Sequence, residues 1–274
     1  MTEIHSWAAA LGITEVEKLH WQLTDSLTPV SKIGYQCSLA AAVELTLIGY
    51  SIGQRAQRTK MVRVSDCPLW KLFSELNWLH RERPTKMRDG ETLALCASKN
   101  HFGWWNDTFR QLERELEEGG FQRTTSRALA GAVGEMLDNV WLHSHQSQAL
   151  LAYQIRRRKF AFSVADSGIG ILKSLAQNPK YKDLSSSAEA IKEALKPGVS
   201  SHEDGTGLGF SDLLHSLAEL WGIVRVRSGE ASFVIDRRTE ERNKQLRFVP
   251  SLPGVHISVS CSLDPGRANR KSLD

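Results

Sequence analysis

The chain has 274 residues, 41% hydrophobic and 24% charged, with a formal net charge of +4. That apolar content suffices for one large or two ordinary buried cores, and so mild a charge does not mark a nucleic-acid binder. No run of about 18 uncharged apolar residues occurs, and the N-terminus Met1-Thr-Glu-Ile-His-Ser-Trp7 lacks the basic start and apolar core of a signal peptide; a cytoplasmic protein that stays out of the membrane is expected.

In chain order, the periodicity predicts helices over Val16–Leu23 and Leu39–Gly49, a short strand over Met61–Val64, a tryptophan-bearing helix over Leu69–Leu79 and a strand over Thr92–Cys96. The charged segments Arg81–Lys86 and Arg88–Glu91 read as a turn, and Lys99-Asn-His101 as the join to a second region. Residues 1–99 are thus expected to form a small α/β regulatory or interaction domain. Cys37, Cys67, Cys96 and Cys261 show no CxxC spacing and read as buried free thiols.

The second region, 100–264, opens with a predicted helix over Asn106–Glu118, halted by Gly119-Gly120. Thr124-Thr125-Ser126 offers capping hydroxyls to a long helix whose apolar face carries Leu129, Val133, Met136, Leu137 and Val140. Strands follow at 149–155 and 159–165, with the basic Arg156–Lys159 as the solvated turn of a hairpin rather than a phosphate-binding patch. A long polar segment over 172–204, a helix over Leu208–Leu220, and strands at 222–228, 231–236 and 255–263 complete the pattern, before a tail over 265–274. The second basic run, Arg237 to Arg247, is interleaved with Glu240 and Glu241 and reads as an exposed loop, so nucleic-acid binding is unsupported. The element order predicts an α/β sandwich with a mixed sheet.

Three short segments carry the chemistry. In Glu135-Met-Leu-Asp-Asn139, Glu135 and Asn139 lie four residues apart and share a helix face, toward which Asp138 can lean. A carboxylate there can take a proton from an attacking water, and an amide oxygen is a hard ligand suited to Mg²⁺; a plain polar helix face is the bland alternative. Asp166-Ser-Gly-Ile-Gly170 follows the apolar run Phe160–Ala165, where glycines let the backbone come close and the carboxylate can accept from an amino group such as adenine N6. An ordinary Asp-x-Gly turn is the alternative. Gly205-Thr-Gly-Leu-Gly209 exposes amide N–H groups at a helix start, as phosphate-binding loops do. The polar Ser200–Asp204 before it excludes a dinucleotide fingerprint, and the missing Gly-Lys-Ser/Thr excludes a Walker loop. Trp104 and Trp105 read as packing residues, and His143 and His145 as solvated helix-end residues.

In this order the three segments resemble the N, G1 and G2 boxes of the GHKL superfamily, which includes gyrase, a heat-shock chaperone, histidine kinases and mismatch-repair ATPases. The resemblance covers roughly residues 105–264. It implies a Bergerat-type α/β sandwich that binds ATP and Mg²⁺. Glu135 would be the general base and Asn139 the Mg²⁺ ligand, with Asp138 beside them. Asp166 would be the adenine-binding acid, supported by Gly168 and Gly170. Gly205, Thr206, Gly207, Leu208 and Gly209 would form the phosphate cradle, with the segment between G1 and G2, including Ser201, as the ATP lid. Lys196-Pro-Gly-Val-Ser-Ser201 is similar to stand-alone bacterial members. Leu142 rather than a basic residue precedes His143, and no Phe-x-x-Phe occurs in the lid, which separates the chain from orthodox histidine kinases. With only a short tail after the last strand, gyrase-type strand passage is not expected. The expected activity is a nucleotide-gated switch with ATP hydrolase chemistry, acting on an unidentified regulatory protein partner. Phosphotransfer to a partner, in the manner of anti-sigma-factor kinases, is the alternative, and a homodimer through the N-terminal region is compatible with the sequence.

Overall fold

Six strands hydrogen-bond into a single sheet in the order β1-β2-β3-β4-β6-β5, where β1 is Thr85–Asp89, β2 Thr92–Ser98, β3 Gln148–Arg156, β4 Lys159–Ala165, β5 Ile223–Asp236 and β6 Asn243–Ser262. This computed structural model describes residues 16–18, 20, 38–55, 72, 76, 83–98, 100–146, 148–156, 158–199, 222–237 and 243–263. Every pairing between these strands is antiparallel, where a mixed sheet was expected. Three of the five pairings join strands consecutive in the sequence through short connections, which reverse the chain and impose the antiparallel sense.

Side chains along a strand alternate between faces, and here both faces are covered. Leu93, Leu95, Ala149, Leu151, Tyr153, Phe160, Phe162 and Val164 form one core with α2 (Phe102–Glu118) and α3 (Arg123–His143). On the other face Ala94, Cys96, Leu150, Ala152 and Ala165 join the core of α1 (Leu39–Arg55), together with the buried Val16, Leu72 and Leu76. Double coverage explains why β3 is a near-continuous apolar run instead of an alternating one. α3 buries Leu129, Ala130, Val133, Met136, Leu137 and Val140, the helical spacing anticipated from the sequence.

The sheet crosses the boundary expected at residues 99 and 100, since β2 pairs with β3 over its whole length, from Thr92↔Gln154 to Ser98↔Gln148. The charged segment read as a turn is in fact β1 and the tight turn Gly90-Glu91. An edge strand pairs on one side only, so the polar Thr-Lys-Met-Arg-Asp sequence suits it and protects the open edge. The polar segment after Asp166 also holds more structure than expected: α4 (Gly170–Leu175), a 3₁₀ turn (Pro179–Tyr181) and α5 (Ser187–Ala194) enclose a small core of Leu175, Tyr181 and Ala190. Where two strands were expected, Ile223–Asp236 makes one, and its pairing with β6 shifts register around Gly229, where the extra residues belong to β6.

Cys96 and Cys261 are buried free thiols. No helix among the described residues is long and apolar enough to cross a membrane. The expected strand over Met61–Val64, most of the helix over Leu69–Leu79, the helix over Leu208–Leu220 and the tail lie outside the described residues.

Candidate functional site

The turn after β4 is held from three directions. Asp166 donates its backbone N–H to Val255 O at 3.0 Å, and its Oδ1 accepts the N–H of Gly168 at 2.7 Å, closing an Asx-type turn. Ile169 N–H then reaches Ser144 O, the cap of α3, at 3.1 Å. Ile171 N–H donates to Ser228 Oγ at 3.0 Å, and that hydroxyl donates onward to Gly254 O at 3.1 Å. β4, α3, β5 and β6 therefore all contribute to placing one short turn.

Two glycines make that convergence possible. A Cβ on Gly168 would stand 2.0 Å from Ser144 O, and one on Gly254 would stand 2.0 Å from Asp166 O and 2.7 Å from its Oδ1. Both contacts are far inside van der Waals range, so only glycine lets these backbones meet. Ser144, Ser228 and Gly254 escaped the sequence reading. The Pro253-Gly254 pair inside an apolar run was a signal for Gly254; nothing local marks the two serines, which matter only because the chain returns to them.

Asp166 is 1% exposed. Burial pushes its carboxyl up to about 7, against the opposing pull of the Gly168 and Val255 backbone hydrogen bonds. A carboxyl that changes charge near neutrality at the end of a strand is a candidate recognition group. Glu135 and Asp138 stand exposed on α3, with Asn139 half-buried beside them. Partial burial raises the Asp138 carboxyl above its ordinary value. Asn139 Nδ2 donates to Glu135 O at 2.9 Å, one turn back, which leaves Oδ1 as the atom open to coordination.

The Asp166 turn docks on Ser144, the C-cap of the helix that carries Glu135 and Asn139 in its preceding turns. Beside the same helix end, Gln177 Nε2 lies 3.0 Å from His145 Nε2, tying the segment after α4 to it. Two of the three chemistry-bearing segments are thus linked through one helix end. The third, with Gly205, Thr206, Gly207, Leu208 and Gly209, lies outside the described residues, as does Ser201.

No protein-family model matches the chain, and no curated protein matches it.

Among the described residues no group of three or more His, Cys, Asp or Glu side chains gathers to hold a metal. An exposed carboxylate and a half-buried amide oxygen on the Glu135–Asn139 face are hard oxygen donors of the kind an Mg²⁺ ion takes when it also leans on waters and phosphates. Asn139 Oδ1 is the ligand this face offers.

Proposed function

We propose that the chain binds ATP with Mg²⁺ in a Bergerat-type site of the GHKL kind and acts as a nucleotide-gated regulatory switch. The observation that carries this reading is the seating of the buried Asp166 turn against the capped end of α3, the helix that presents Glu135 and Asn139. Within this reading Asp166 accepts a hydrogen bond from the adenine amino group. Asn139 Oδ1 is the residue atom that would hold Mg²⁺, which when bound would supply charge neutralisation at the triphosphate. Glu135, exposed on the same helix face, takes the proton of the attacking water.

The segment from Gly170 to Val199 is the element that would move. It begins on the Asp166 turn and carries its own small core, and its movement would have to release Ala188, Ile191 and Leu195 from the main core and Ser187 from Glu230. Closure of such a segment over nucleotide and its release after hydrolysis would present two surfaces to a protein partner.

Steady-state phosphate release with and without Mg²⁺ tests the reading. Wild type should turn over, and Glu135→Ala should lose roughly a hundredfold or more while still binding a fluorescent ATP analogue. Equal turnover in both removes the proposed base. Failure of wild type to bind the analogue removes the site.

A further inference from the structure

Between the sheet and the N-terminal helices lies a cluster of charges that nucleotide chemistry does not require. Glu44 on α1 is buried completely, as is His256 on β6, while Arg225 and Arg227 on β5 are 2% and 1% exposed. Arg225 Nη1 donates to Glu44 Oε2 at 2.5 Å and its Nη2 to Glu17 Oε1 at 2.7 Å. Arg227 Nη1 donates to Glu44 Oε1, and its Nη2 donates to Pro250 O at 2.7 Å and lies 2.9 Å from His20 Nδ1. His256 Nδ1 lies 3.3 Å from Glu44 Oε2. At the margin Arg247 Nη1 and Ser232 Oγ reach Glu17 at 3.5 and 3.3 Å. Glu44 is the hub, since among the described residues it alone contacts Arg225, Arg227 and His256 together.

The position of this cluster is what gives it meaning. Ala165, His256 and Arg227 form one row across β4, β6 and β5, and Ala165 is the residue before Asp166. The next row pairs Ser228 with Val255. Successive residues of a strand face opposite ways, so Arg227 and His256 turn toward α1 while their neighbours serve the other side. Those neighbours are the ones that hold the turn: Val255 O takes the Asp166 N–H, and Ser228 Oγ takes the Ile171 N–H. One peptide unit on each strand separates a contact with Glu44 from a hydrogen bond that places the candidate adenine acid.

We infer that Glu44 is a positioning residue for the Asp166 turn, acting from the N-terminal helices through Arg227 and His256. The inference concerns the geometry of the turn, and its effect on nucleotide rests on the proposed function. It gives the N-terminal layer a route to the site: whatever displaces α1 withdraws Glu44, frees the Arg227–His256 row and loosens the two hydrogen bonds beyond it.

Glu44→Gln leaves two buried guanidinium groups short of a carboxylate and can unfold the chain. The double variant Glu44→Leu/Arg227→Leu removes one charge of each sign, keeps the Arg225–Glu17 pair, and replaces the rest by apolar packing. In the full chain without nucleotide, the double variant should exchange the backbone amide protons of Asp166 and Ile171 roughly tenfold faster, while Leu112 and Leu116 in α2 keep wild-type rates. Its affinity for a fluorescent ATP analogue should fall by a similar factor, as expected when the competent turn is populated for only part of the time. Wild-type exchange at both amides in the folded double variant overturns the inference. So does a double variant that fails to fold or speeds up uniformly, because Glu44 then supports the whole fold and not this turn. If wild type itself does not bind the analogue, the proposed function fails, while the exchange measurement still judges the coupling.

Discussion

Asp166 joins burial to a titration near neutrality, and the sign of its effect can be worked out. With the folded carboxyl at about 7 and the unfolded one at the ordinary 3.8, the native state keeps a proton that the unfolded state has lost throughout that window. Stability therefore falls as pH rises from about 4 to about 7 and levels off above it, by about 4 kcal/mol at most. Denaturant titrations at stepped pH should show this slope, and Asp166→Asn should flatten it. Nucleotide affinity should run the other way, because the ionised acid is the stronger acceptor. A fluorescent ATP analogue is expected to bind roughly tenfold tighter at pH 8 than at pH 6 if only the ionised form accepts the amino group. His256 shows the opposite response to burial: desolvation, with Arg225 and Arg227 nearby, holds its imidazole well below its ordinary value, so it stays neutral beside Glu44.

Among the elements, α5 shows how the segment after the Asp166 turn is docked. Ser186 caps it by accepting the Glu189 N–H at 3.2 Å, and the Glu189 carboxylate reaches back to Ser185 N and Oγ at 3.0 Å. This closely follows a capping box, legible as Ser-x-x-Glu. The helix is fastened to β5 by Glu230, whose carboxylate accepts from Ser187 N at 3.0 Å and Ser187 Oγ at 2.9 Å. Glu230 sits on β5 opposite the irregular stretch of β6 between Val255 and Phe248, where β6 carries the extra residues. Glu230→Ala should leave the global unfolding midpoint nearly unchanged and raise limited proteolysis or amide exchange within 187–194 roughly fivefold. Equal protection in both proteins would show that the helix is fastened by its apolar face alone.

For the whole molecule, the expected division at residues 99 and 100 has a direct test. A fragment spanning 100–264 would lose β1, β2 and α1, expose the far face of β3 and β4, and leave Arg225, Arg227 and His256 without Glu44. It is expected to be insoluble or unfolded, whereas the full chain unfolds in one transition over the sheet; circular dichroism and denaturant titration distinguish the two. A fragment that folds and melts like the parent would restore the boundary. Local pattern was enough to place α3 from its 3.6-residue spacing, the β3–β4 hairpin from its basic turn, and Asp166 at a strand end. These features depend on near neighbours in the chain, so the sequence by itself determined them. It did not reveal β1, whose polar residues are strand-like only because β2 lies alongside, nor the second covered face of the sheet. The tertiary structure alone brought Ser144, Ser228 and Gly254 around Asp166 and set Glu44 against Arg225 and Arg227, residues 181 and 183 positions away. Contacts over such separations leave no periodicity in the chain, because each partner is chosen by where the sheet carries it and not by what precedes it.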